Sequence, residues 1–322
     1  MSSQQMSPSG ADNPMSRLLP PNLVSLFTQA LKSYQLSNAT FRVLCSLTPS
    51  SSSSADPPAP IPPRNPPNTL LVLDSSFNPP TLAHQRMALS ALSDHAYTDA
   101  GSHASRVLLL LAINNADKSP KPAAFPQRLA MMYIFARDLL STTAATECAG
   151  IDVAVTTEPY FHAKSAAIAS CEFYRGEQTE IKGEGEGAME QIYLTGFDTL
   201  IRIFNPKYYP HASMAAALDP FFAHARLRVT TRTDDEWGDA TEQRAYLEQL
   251  RRGGELENVG GRTGWAGRVD MVDGRRDGEV VVSSTKVRDA VLRRDWKALE
   301  LLVSEGVAAW IREEGLYAEA GT

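Results

Sequence analysis

The amino-acid sequence predicts an α/β chain built on a doubly wound parallel sheet, and three observations carry that prediction. Short apolar runs at Thr69 to Leu73, Val107 to Ile113, Ile151 to Thr156, Ile192 to Leu194 and Leu227 to Thr231 are interleaved with stretches of helical periodicity. The runs are continuous in hydropathy rather than alternating, as strands covered on both faces require. Hydrophobic residues make up 43% of the 322 positions and aromatic residues 8%, enough to bury a sizeable core.

Taken in order, Met1 to Pro14 is polar, with no charged start followed by an apolar run, so no secretory signal is expected. Leu23, Leu26, Phe27, Leu31 and Tyr34 recur at helical spacing behind Pro20 and Pro21, and Phe41 to Leu47 reads as a short strand. Residues 1–47 therefore form an N-terminal extension with one helix, expected to fold back on the core. Residues 48–68, mostly Ser, Pro and Ala, bury too little apolar area to offset ordering and are expected to be an extended linker.

The main domain spans residues 69–322 and opens with a βαβ unit whose helix runs from Leu82 to Leu92. A helix over Pro126 to Leu140 precedes the remaining strands. Two stretches break the rhythm: 176–190, acidic and Gly-rich, and 251–278, rich in Gly and Arg; both are expected to be mobile loops. A strand over Glu279 to Val282 follows. Helical patterns over Thr285 to Arg294, Trp296 to Val303 and Val307 to Glu314 then make a C-terminal helical segment.

Composition excludes several classes. A formal net charge of -6 provides no basic field for nucleic acid, so any anionic ligand needs a local site. Cys45, Cys148 and Cys171 are odd in number and widely spaced, which indicates neither a disulfide framework nor a zinc site. His95, His103, His211 and His224 show no ligand spacing, so no protein-held metal is expected. No run is long enough to cross a membrane, and a cytoplasmic or nuclear location is expected, with the Asn38-Ala39-Thr40 sequon coincidental. The G-x-G within Gly183 to Gly187 is acidic and follows no apolar strand, so it is rejected as a phosphate loop.

The segment Asp74-Ser75-Ser76-Phe77-Asn78-Pro79-Pro80-Thr81-Leu82-Ala83-His84 lies directly after one strand and directly before a helix. That is the carboxyl end of a strand, where doubly wound sheets bind ligands, and the helix start offers free N–H groups to phosphate. A second polar run, Val282-Ser283-Ser284-Thr285-Lys286-Val287-Arg288, also opens a helix. Thr81-x-x-His84 resembles the (H/T)-x-G-H signature of the nucleotidyltransferase superfamily, and the second run resembles its I-S-S-T-x-x-R signature, in the forms used by nicotinamide-mononucleotide adenylyltransferases.

Asn115 to Lys118, Gln127 to Met131, Gly196-Phe197-Asp198 and the tail Val307 to Tyr317 extend the resemblance, which covers Thr69 to Tyr317 and is similar to a divergent fungal branch. Ser75 stands where that family commonly has Gly, Ala83 replaces the signature Gly, and Gln127 stands where a His often precedes the Arg.

The resemblance implies a Rossmann-like fold and adenylyl transfer from ATP to nicotinamide mononucleotide, giving NAD and pyrophosphate by in-line attack without a covalent intermediate. It implies magnesium arriving with ATP. His84, Thr81 and Arg288 become the catalytic contacts to the phosphates, with Lys286 assisting. Ser75, Ser76, Phe77, Ser283, Ser284, Thr285, Gly196, Asp198 and Arg232 become ATP-binding, and Asn78, Lys118 and Arg128 acceptor-binding. Adenylyl transfer to another phosphorylated acceptor stays open, as does an ATP-binding or ATP-hydrolysing scaffold engaging proteins through its N-terminal extension, and so does a homo-oligomer.

Plainer readings stand beside these. His84 and the Ser-Ser-Thr run could cap helices, Asp198 could serve a turn, and Asp117-Lys118 could be a solvated pair. Phe161, His162 and Lys164 resemble acceptor-loop residues of that family, but in a weakly patterned segment they read as a surface loop; Tyr208 and Tyr209 suit either core packing or a stacking contact.

Overall fold

The computed structural model of the protein describes residues 19–49, 56–98, 105–114, 122–143, 148–175, 189–209, 213–232, 237–275 and 278–318. In chain order the elements are α1 (Leu23–Gln35), β1 (Phe41–Leu47), β2 (Thr69–Asp74), α2 (Leu82–Thr98), β3 (Ser105–Ala112), α3 (Phe125–Ser141), β4 (Cys148–Thr156) and α4 (Phe161–Ser170). After these come β5 (Glu190–Gly196), α5 (Phe197–Ile203), α6 (Met214–His224), β6 (Ala225–Thr230), α7 (Ala240–Arg252), α8 (Glu255–Asn258), β7 (Val269–Val272), α9 (Ser284–Leu292), α10 (Trp296–Glu300) and α11 (Glu305–Glu313). No described helix is long and apolar enough to cross a membrane.

The strands form one seven-stranded sheet in the order β1-β4-β3-β2-β5-β6-β7. The chain winds outward from β2 through β3 to β4, returns to β5 beside β2, and winds the other way to β7. Right-handed crossovers put the helices of the two halves on opposite faces. On one face α1, α2, α3 and the C-terminal helices cover Leu71, Leu73, Leu109 and Val153; on the other, α4 to α7 cover Leu70, Val72, Tyr193 and Leu227. The reversal between β2 and β5 leaves a crevice at their carboxyl ends, because the loops leaving the two strands part toward opposite faces.

Four details add to or amend the expectations. The sheet is not wholly parallel: β1 pairs antiparallel with β4, Phe41 opposite Thr156, so the N-terminal extension supplies an edge strand of the main sheet. The linker is not free after residue 55. Ser46 donates its N–H to the Ala59 carbonyl at 2.9 Å, and Arg106 reaches the Ile61 carbonyl at 3.3 Å, which lays the segment along the sheet edge.

Residues 251–278 are not a mobile loop over their described length. They carry the end of α7, α8, a 3-10 turn over Thr263–Arg268 and the last strand, β7. Buried Trp265, stacked 5.7 Å from Phe222, pins this region against the sheet despite its Gly and Arg content. The strand expected over Glu279 to Val282 is instead an irregular strap between β7 and α9, since β7 already closes that edge. Of 176–190, residues 176–188 lie outside the described residues.

Candidate active site

At the switch point, Asp74 to Ser76 leave β2, Thr195 to Asp198 leave β5, and a cleft of about 440 Å³ opens between them. The first turn of α2 carries His84. Its Nδ1 accepts the backbone N–H of Thr81 at 3.0 Å and lies 2.8 Å from Thr81 Oγ1. A nitrogen that accepts an N–H carries no proton, so the ring proton sits on Nε2, which lies 3.0 Å from Ser75 Oγ and donates to it. Burial pushes the His84 pKa down to about 4, so at neutral pH the imidazole is an uncharged donor at the cleft wall.

The second motif meets the first across 205 residues of chain: Ser284 Oγ donates to the Pro79 carbonyl at 2.8 Å. Arg288, one turn along α9, donates from Nη1 to the Asn78 carbonyl at 2.8 Å and from Nη2 to Thr285 Oγ1 at 3.2 Å. Ser283 caps α9 by accepting the Lys286 N–H at 3.2 Å. Capping by Ser283 and motif pairing by Ser284 and Arg288 thus use neighbouring residues of one helix start, and that N-terminus faces the cleft.

Ser75, Ser76, Thr81, His84, Gly196, Asp198, Arg232, Ser283, Ser284, Thr285 and Arg288 all line this cleft. An added Cβ at Gly196 would lie 2.8 Å from Asp198 Oδ1, so glycine here leaves that carboxylate its place in the wall. Asp198 pairs with Arg232 at 3.2 Å.

Other expected residues sit elsewhere. Phe77 is fully buried and does not line the cleft; its ring centroid lies 5.4 Å from that of His84 and packs it in place. Asn78 is buried beneath the wall, its Oδ1 accepting from Tyr317 OH at 2.8 Å. Arg128, on the first turn of α3, is also outside the lining, donating from Nε to the Ala123 carbonyl at 2.8 Å with its guanidinium over the Phe125 ring. Burial, with the nearby charge of Arg288, pushes its pKa down, and it has no carboxylate partner among the described residues. Lys118 lies outside the described residues.

The residues read as a surface loop are a correction. Phe161, His162 and Lys164 open helix α4, and Lys164 is buried with its Nζ 2.5 Å from Asp74 Oδ2 at the end of β2. The signal was present as Phe161-x-x-Lys164 followed by Ala167-Ile168, a helical stripe with one cation in it. His162 stacks on Tyr160 at 5.7 Å and lies 5.7 Å from Tyr209, burial lowering its pKa.

Sequence reasoning also missed Arg86 and Arg275 on the cleft wall, and Thr195, whose buried Oγ1 has no hydrogen-bond partner among the described residues. With Arg232 and Arg288, these arginines outnumber the two acids of the cleft wall, and Arg86 is itself paired with Glu279 at 3.0 Å. Both acids in its wall, Asp74 and Asp198, are already paired with cations.

No family model matches the chain. A provisionally named nicotinamide mononucleotide adenylyltransferase of Schizosaccharomyces pombe is 32% identical over 239 residues, covering 74% of this chain and 82% of that protein. Among solved structures, a Plasmodium falciparum nicotinic acid mononucleotide adenylyltransferase complexed with NaAD is 12% identical over 78% of this chain and 97% of its own, with a TM-score of 0.41. Thermotoga maritima TmcAL bound with alpha-thio ATP is 13% identical over 77% of this chain and 56% of its own, with a TM-score of 0.35. Superpositions this weak carry no argument, and kinship rests on the sequence relative. On that kinship, the chain belongs to the nicotinamide mononucleotide adenylyltransferase family of nucleotidyltransferases.

Proposed function

We propose that the cleft binds ATP and transfers its adenylyl group to nicotinamide mononucleotide. The observation that carries this reading is the uncharged His84, which presents Nε2–H at the switch point beside the cationic start of α9. A phosphate oxygen of the acceptor attacks the α-phosphorus of ATP. The bond to the bridging oxygen breaks, pyrophosphate leaves with that electron pair, and NAD results. The enzyme supplies positioning and charge stabilisation rather than a nucleophile.

His84 Nε2–H turns from Ser75 to the α-phosphate as negative charge grows there, and Thr81 holds the ring's tautomer through Nδ1. The hydroxyls and N–H groups of Ser283, Ser284 and Thr285 receive the β- and γ-phosphates, with Arg288 as a charged fork. Asp198, beside Gly196, takes the ribose hydroxyls, and Arg232 faces the nucleotide. Arg128 supplies positive charge on the acceptor side, in keeping with its lack of an acidic partner among the described residues. Lys118 joins it in this reading.

Magnesium enters as part of the substrate. The acids of the cleft are engaged by Lys164 and Arg232, and no cluster of three metal-ligating side chains occurs among the described residues. Magnesium brought in this way would be held chiefly by phosphate oxygens and water, because the ion dehydrates reluctantly.

The test is a coupled assay of the full chain with ATP, magnesium and nicotinamide mononucleotide, following NAD and pyrophosphate together. His84→Ala is expected to lower kcat by about 10²- to 10³-fold while ATP binding changes little. Pyrophosphate without NAD, or wild-type turnover retained by His84→Ala, rejects the reading.

A further inference from the structure

Gln243 lies in the first turn of α7, outside the cleft lining, and is 1% exposed. A primary amide buried this deeply needs hydrogen-bond partners for its oxygen and both of its hydrogens. All of them come from one short connection, the loop from β6 to α7. Gln243 Oε1 accepts the Arg232 N–H at 3.0 Å, while Nε2 donates to the carbonyl of the same residue. The remaining donor capacity is shared between the carbonyls of Gly238 at 3.2 Å and Trp237 at 3.4 Å. One side chain therefore grips residue 232 on both sides of its Cα and ties the two ends of the loop together.

The helix that carries Gln243 is anchored independently of the cleft. Asp239 and Glu242 form a reciprocal capping box, with bonds of 2.8 and 2.9 Å, and Leu247 and Leu250 pack into the core. On the other side of Arg232, the guanidinium stands in the cleft wall and reaches Asp198 at 3.2 Å with 43% of its side chain exposed. An ion pair that exposed holds its geometry weakly in water. Gln243 adds support that does not depend on that ion pair, because it holds the Arg232 backbone.

We infer that Gln243 is a positioning residue for nucleotide binding: its amide fixes the backbone of Arg232 and so aims that guanidinium and its partner Asp198 into the cleft. The inference rests on the reading of the cleft as an ATP site. It assigns to α7, which contributes no residue to the cleft wall, a part in setting affinity.

The experiment compares the wild-type full chain with Gln243→Leu, Arg232→Ala and the double variant. It measures ATP affinity by calorimetry without acceptor, and KM and kcat in the coupled assay. Gln243→Leu is expected to weaken ATP binding about tenfold with kcat at saturating ATP changed less than about twofold, as for loss of binding rather than chemistry. Once Arg232 is alanine the side chain being aimed is gone, so the double variant should bind ATP within about twofold of Arg232→Ala alone. ATP affinity unchanged by Gln243→Leu, or losses that multiply in the double variant, overturns the inference.

If Gln243→Leu fails to fold, as judged by its melting transition, Gln243→Glu takes its place. It keeps size and acceptor but replaces the donor, and a folded Gln243→Glu with wild-type ATP affinity overturns the inference equally. Wild-type protein that does not bind ATP fails the nucleotide reading itself, an outcome distinct from a wild type that binds while the Gln243 variants match it.

Discussion

His84 shows how one residue's chemistry is set by its immediate surroundings. Burial disfavours the imidazolium, and an Nδ1 already engaged by the Thr81 N–H has no lone pair free for a second proton. With a pKa near 4 in the folded chain against 6.5 for the free group, the unfolded chain takes up the proton first. The stability this residue contributes is complete above about pH 6.5 and is lost as the pH falls toward 4. Denaturant titrations across that window should show a steeper loss for wild type than for His84→Gln; parallel curves would mean that His84 titrates normally. Sequence placed His84 and Thr81 together because residues three apart at a helix start are neighbours by geometry. It could not place Ser75 on Nε2, a contact that depends on how β2 enters the loop.

At the scale of elements, the site is held by contacts between segments distant in the chain. The Lys164–Asp74 pair joins α4 to the end of β2, with side-chain exposures of 6% and 8%. Removing one partner leaves the other charge buried and unpaired, which costs about 3–5 kcal/mol. Lys164→Met should lower the unfolding free energy by that amount, and adding Asp74→Asn should restore part of it. A loss under about 1 kcal/mol in chemical denaturation would place the pair in solvent. Helices α9 and α11 follow their sequence patterns to within two residues at each end, whereas α10 stops at Glu300, three residues before its expected end. Strand β7 escaped notice because four residues, Val269–Val272, make a strand only where β6 offers an edge to pair with.

At the scale of the whole molecule, the N-terminal extension is part of the fold. Strand β1 covers the edge of β4, and Phe27, Leu31 and Tyr34 of α1 enter the same core as α3. Behind them Arg106, Asp152, Ser46 and Tyr174 form a buried network, with Arg106 to Asp152 bonds of 2.5 and 2.6 Å and a Ser46 to Asp152 bond of 2.6 Å. A chain beginning at Thr69 would expose a strand edge and leave Asp152 without Ser46. It should aggregate, or unfold at markedly lower denaturant, as size-exclusion chromatography and denaturant titration will show. A monomeric product of wild-type stability would make the extension dispensable.

The sequence by itself determined the alternation of strands and helices, the two polar runs at helix starts and the residue types suited to phosphate, since these depend on periodicity and on spacing within single turns. Only the tertiary structure decided that Ser284 and Arg288 grip the carbonyls of Pro79 and Asn78, that Lys164 neutralises Asp74, that β1 closes the sheet edge and that Gln243 holds Arg232. Those pairings join residues far apart in the chain. Their geometry follows from which strands lie side by side, and local pattern carries no record of that.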